Sequence, residues 1–160
     1  MQIRGVFHGD YRPETIIIEE EGESGTVLIL DNGLLANFPC GYERALAEFK
    51  EIKVYLTPHL MKELKRKNIK PAYNVYNSDV FAIGLVLLYS ATLRNPQKFY
   101  YNWKNFTVDK NAIELDLIGL QNKYTDSFVR MLRRMLDFDE KRPTFLDLGD
   151  NIYDFYHGII

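Results

Sequence analysis

The sequence predicts a mainly helical α+β domain with a small β-hairpin at its N-terminal end. Three observations carry that prediction. Two short runs of β-branched and apolar residues, Ile16–Ile18 and Thr26–Leu30, flank an acidic turn with two glycines, as strands of a hairpin do. The run Val80–Tyr89 is apolar on every side, which marks a helix buried all round. Further along, apolar residues recur at helical spacing behind capping residues.

In chain order, Ile3, Val6 and Phe7 lead into His8-Gly9-Asp10-Tyr11-Arg12-Pro13-Glu14-Thr15. Pro13 has no backbone N–H and holds Arg12 in extended geometry, so this stretch is a loop. The hairpin follows, with Glu19-Glu20-Glu21-Gly22-Glu23-Ser24-Gly25 as a long acidic tip. Residues 34–56 have no clean period and are broken by Pro39 and Gly41, with room for a short helix over Tyr42–Phe49. Pro58 opens a short basic helix over Leu60–Lys67. The central helix is expected over Ser78–Thr92, capped by Ser78, with Asp79 in its first turn. An aromatic-rich connection, Phe99 to Asp109, precedes helices over Asn111–Lys123 and Asp126–Leu136, the second capped by Thr125. Thr144 and Asp147 form a capping-box signal for a last helix over 145–157. No internal repeat interrupts this order, so residues 1–160 are expected to form a single domain.

Composition narrows the function. Hydrophobic content of 46% supports a packed core, and a formal net charge of -2 argues against a dedicated nucleic-acid binder. The longest apolar run is too short to span a bilayer, so no membrane association is expected. The lone Cys40 rules out an intrachain disulfide and, with no signal-like N-terminus, suggests a soluble cytoplasmic protein. No Cys/His spacing suggests zinc.

With these motifs in this order, the chain resembles the C-terminal lobe of a eukaryotic protein kinase. Residues 8–15 look like its catalytic loop, and Asp31-Asn32-Gly33 looks like its Asp-Phe-Gly metal loop. Thr57-Pro58-His59 stands where Ala-Pro-Glu ends the activation segment. Ser78-Asp79-Val80-Phe81 with Gly84 resembles the start of the family's central helix, and Arg142-Pro143-Thr144-Phe145 its late Arg-Pro-Thr-Phe signature. The resemblance implies an acceptor-orienting base at Asp10 and a charge-offsetting cation at Arg12. It implies ATP and magnesium as cofactors, with Asp31 and Thr15 in the metal and cofactor positions. His8, Asp79, His59 and Arg142 take structural places, and Asp79 is expected to accept backbone N–H bonds from the catalytic loop.

The departures weigh against activity. Thr15 offers a hydroxyl where the family has an Asn carbonyl, a poorer ligand for a hard cation. Arg12 replaces Lys, Asn32 replaces Phe and Gly9 replaces the Arg that receives an activation-loop phosphate. Residues 34–56 contain no Ser or Thr, leaving only Tyr42 and Tyr55 as hydroxyls for phosphorylation there. His59 replaces the Glu that pairs with Arg142, so Arg142 is expected to find another acceptor or to use His59. No glycine-rich phosphate loop, Val-Ala-Xaa-Lys strand or Glu-bearing helix is recognisable. The expectation is a pseudokinase-like or remnant lobe that acts through a protein partner or an N-terminal lobe and does not bind ATP alone. The alternative is a fragment of an active Ser/Thr protein kinase. Loss of a neighbouring helix also predicts an exposed apolar groove along Ser78–Thr92 and near Ile3–Phe7.

Overall fold

A computed structural model describes residues 7–21, 24–30, 41–48, 54–139 and 142–149. The fold places two small antiparallel hairpins around a helical core. Strands β1 (Ile16–Glu21) and β2 (Ser24–Ile29) pair in register Ile16↔Ile29 through Glu21↔Ser24. The strands reach further than the apolar runs predict. Glu19 and Glu20 pair with Thr26 and Gly25, because solvated acids can ride on the outside of a two-stranded ribbon. Helix α1 (Gly41–Glu48) begins one residue before the expected short helix. Helix α2 (Pro58–Lys65) starts at Pro58, with the Thr57 hydroxyl accepting from the Leu60 N–H.

The core is organised on α3 (Val75–Thr92). It begins one turn earlier than expected, because the Asn74 side chain caps the N–H groups of Tyr76 and Asn77 and displaces Ser78 from that role. Asp79 therefore lies in the second turn, clear of the helix end. Val80, Phe81, Leu85 and Leu88 are fully buried. Helices α5 (Lys110–Leu120) and α6 (Asp126–Met135) pack against α3. Gly84 lets α6 approach: a Cβ there would lie 3.0–3.1 Å from Leu136 and Met135 atoms. The expected apolar groove along this helix is not found. Within Val75–Thr92 only Ser90 is exposed, with the later helices packed against α3; of the stretch expected to share that groove, Phe7 is exposed and residues 3–6 lie outside the described residues. Length and apolar composition alone would let α3 cross a membrane, yet half of it is buried inside the protein, as a core helix is.

The aromatic connection contains more structure than its sequence announces. It folds into a single turn, α4 (Pro96–Phe99), and a second ribbon, β3 (Tyr101–Asn102) paired with β4 (Thr107–Val108). Helix α5 (Lys110–Leu120) is capped by Asp109 and buries Ile113, Leu117 and Leu120. Helix α6 (Asp126–Met135) is capped by Thr125 and buries Val129, Leu132 and Met135, while Phe128 is only half-buried. A final helical turn spans 145–149, where Thr144 and Asp147 close the capping box through reciprocal bonds of 2.7 and 3.4 Å. The rest of the expected last helix lies outside the described residues.

Exposed apolar surface gathers instead on the first hairpin. Ile17, Ile18, Val27, Leu28, Ile29 and Leu30 are all exposed, Ile18 at 67%. Directly paired residues share a face, so Ile18 and Val27 mark one face and Ile17 and Leu28 the other. The ribbon is apolar on both sides.

Candidate functional site

The loop 8–15 is shaped from beneath by α3. The buried Asp79 carboxylate accepts the His8 and Gly9 backbone N–H groups, each at 2.8 Å. Burial raises the Asp79 pKa, and those two N–H bonds oppose the shift by favouring the charged form. Gly9 takes φ of 77°, a conformation that glycine adopts without strain. His8 is held at both ring nitrogens: Nδ1 accepts from the Asp10 N–H at 3.2 Å, and Nε2 stands 2.8 Å from the Leu30 carbonyl oxygen. That pairing places the proton on Nε2. The ring stacks on Tyr11 at 4.4 Å, and Tyr11 in turn meets the edge of Phe145 at 6.5 Å. Burial, helped by the Asp79 charge, pushes the Tyr11 hydroxyl up to about 12.

Asp10 faces two guanidinium groups. Arg44 Nη2, from α1, lies 2.9 Å from Oδ1 and 2.8 Å from Oδ2. Arg12 Nε lies 3.5 Å from Oδ2, close enough for an ion pair though not for a hydrogen bond. Arg12 also caps the 3₁₀ turn Pro13–Thr15. Its N–H donates to Thr15 Oγ1 at 3.2 Å, and Thr15 Oγ1 donates to its carbonyl at 2.9 Å.

These contacts decide what Thr15 can do. Its side chain is 0% exposed, and its hydroxyl is committed as donor and as acceptor to one neighbouring peptide. In this arrangement the hydroxyl serves as a cap, and its burial and two bonds make it a poor ligand for a hard cation. The physical reason is local: Thr15 ends a tight turn whose orphan N–H it satisfies. The companion metal acid, Asp31, lies outside the described residues, as do Asn32, Gly33 and Cys40. Among the described residues no cluster of three or more metal-ligating side chains is found.

The two remaining structural residues stand apart from the loop. His59, on α2, brings Nε2 to 3.1 Å from the Ala72 carbonyl. Arg142 is buried, donates Nε to the Asn77 carbonyl at 3.3 Å and Nη1 to the Asp137 carbonyl, and lies 5.2 Å above the Phe81 ring. The structure thus brings His8, Asp10, Arg12, Thr15 and Asp79 together and leaves His59 and Arg142 elsewhere. Sequence reasoning missed Arg44, which sits 34 residues from Asp10 in the chain. It also missed Tyr11 as the stacking partner of His8. Only an Arg on the expected short helix hinted at the first, and nothing in the spacing pointed to the second.

No family model matches the chain. The chain is 32% identical over 161 residues to the serine/threonine-protein kinase PknD of Protochlamydia amoebophila (strain UWE25). That alignment takes in 91% of this chain and 15% of the kinase, so the chain spans only a small part of its relative's length. The similarity supports a kinase-like region.

Proposed function

We propose that this chain is a kinase-like C-terminal lobe that works by binding protein and does not transfer phosphate by itself. The observation that most supports this is the buried, internally satisfied hydroxyl of Thr15, at the position where the resemblance calls for a metal ligand. The apolar ribbon β1–β2 supports the second half of the proposal. Its exposed isoleucines and leucines offer a protein partner, or an N-terminal lobe, a surface to cover. On this view ATP and magnesium belong to the ancestry of the fold, and the protein works in the cytoplasm.

A second reading, a fragment of an active Ser/Thr kinase, draws on two facts. Asp10 is retained in a loop shaped by Asp79, and the relative is named as a serine/threonine kinase. ATP with magnesium separates the two. A ligand at 100 times its Kd stabilises the folded state by about 2.7 kcal/mol, which a thermal melt detects. The purified chain should melt at the same temperature with and without millimolar ATP–Mg²⁺; a clear rise would favour the enzyme.

A further inference from the structure

The apolar ribbon β1–β2 also carries a sign. Strand alternation puts Ile18, Glu20, Val27 and Ile29 on one face, since Ile18 pairs with Val27 and Ile16 with Ile29. Ile18, Val27 and Ile29 are exposed, and so are Glu19 and Glu20 beside them. Residues 13–30 hold five glutamates and no Lys or Arg. Among the described residues neither Glu19 nor Glu20 is in an ion pair.

A counterpart stands at the end of α2. Residues 62–70 hold five cations and one acid, Glu63. Glu63 is buried and already bonded to Arg66 at 2.7 Å and to Asn68 at 2.6 Å. Lys62, Lys65, Lys67 and Lys70 are exposed and, among the described residues, in no ion pair. Ile69 stands among them 74% exposed. The helix dipole favours cations in a last turn, which accounts for Lys62 and Lys65. It does not account for Lys67, Ile69 and Lys70, which lie beyond the helix. These are held in place. The Lys67 and Asn68 N–H groups donate to the Leu64 and Glu63 carbonyls at 3.0 and 3.1 Å. The Asn68 carbonyl accepts from the Tyr42 hydroxyl at 2.6 Å, and Asn68 Oδ1 from the Lys70 N–H at 3.1 Å. A patch already ordered loses little entropy on binding.

We infer that the ribbon's partner is a second copy of this chain, with the hairpin face of one copy seated on the Ile69 patch of the other. Ile69 covers Ile18, Val27 and Ile29, while Glu19 and Glu20 meet the lysines. Apolar burial supplies the affinity, and charge decides which surfaces meet. Ribbon on ribbon would set acid against acid, and patch on patch lysine against lysine. Each copy carries both surfaces, so two copies can exchange them reciprocally about a twofold axis. This names the partner that the proposed function leaves open, and it rests on that reading of the ribbon as the binding surface.

Sedimentation velocity of the whole chain at low salt, where exposed charges are least screened, tests the pairing. The unaltered chain should dimerise in the micromolar range. Glu19→Lys with Glu20→Lys should weaken dimerisation by about tenfold or more, and so should Lys65→Glu with Lys70→Glu. An equal mixture of the two reversed chains should dimerise as the unaltered chain does, because each hairpin again faces a patch of opposite sign. A chain still monomeric at about 100 µM, dimers indifferent to both reversals, or a mixture that stays monomeric would each overturn the inference. Should a reversal unfold the chain, Ile69→Ser decides: the association constant should fall by about tenfold, and an unchanged constant would overturn the pairing. Stabilisation by ATP–Mg²⁺ would sink the proposed function and leave the sedimentation pattern as it is. A monomer unmoved by ATP–Mg²⁺ would sink this inference alone.

Discussion

Helix α3 and the hairpin β1–β2 are the two most apolar elements described, and they meet opposite fates. The chain's own helices pack against α3 and leave only Ser90 exposed along it, and its one buried carboxylate is bonded to the loop above it. The hairpin carries isoleucine, valine and leucine on both faces and leaves most of them in solvent. The helix answers to the fold, whereas the ribbon's composition has no counterpart among the elements around it. Hydrophobicity in the sequence is thus a demand for cover, and only packing tells whether the same chain meets it.

Mutations should separate the two regions by size of effect. Phe81→Ala, in the fully buried part of α3, should cost about 3–5 kcal/mol in a denaturant titration. Asp79→Ala removes the acceptor of two loop N–H groups and should cost about 2–3 kcal/mol, less than two fresh vacancies because burial already penalises the charged carboxylate. An equal loss from the matching hairpin change would break the comparison. The core side should also carry the alkaline response. Burial pushes Tyr11 to about 12 and raises Tyr55, Tyr100 and Tyr101 too, against an ordinary value of 10.0. A raised folded pKa means the unfolded chain loses its protons first. Stability is therefore full below pH 10 and falls as pH climbs from 10 through 12, by up to about 1.4 kcal/mol per pH unit for each such tyrosine. Part of the tyrosinate absorbance should appear only together with loss of helical circular dichroism; an absorbance change complete before unfolding would contradict the burial. The smallest effect belongs to the ribbon. Ile18→Thr should change stability by less than about 0.5 kcal/mol while weakening any association through that face, as seen by sedimentation or partner binding.

Much of this was legible in the sequence, for reasons that differ by element. The all-round apolar run of α3 allowed only a buried helix, and Thr125, Thr144 and Asp147 announced their caps. Ser78 stood out as the cap of α3, but the helix starts a turn earlier on Asn74, a cap that the loop reading of residues 68–77 passed over. The two-residue strands β3 and β4 are too short to show alternation. Asp79 reached the loop only through likeness to a family, since no local pattern ties a helix residue to amides 70 and 71 positions earlier. Arg44 had neither aid. An ion pair between distant segments leaves no periodic trace, so the partner that closes Asp10 emerged only from the fold.

That pair is where the account is most exposed. A double-mutant cycle of Asp10→Ala and Arg44→Ala, measured by denaturant titration, asks whether the loop and α1 act as one latch. The account predicts a coupling of about 1–3 kcal/mol between them. Losses that add to within about 0.3–0.5 kcal/mol would contradict it.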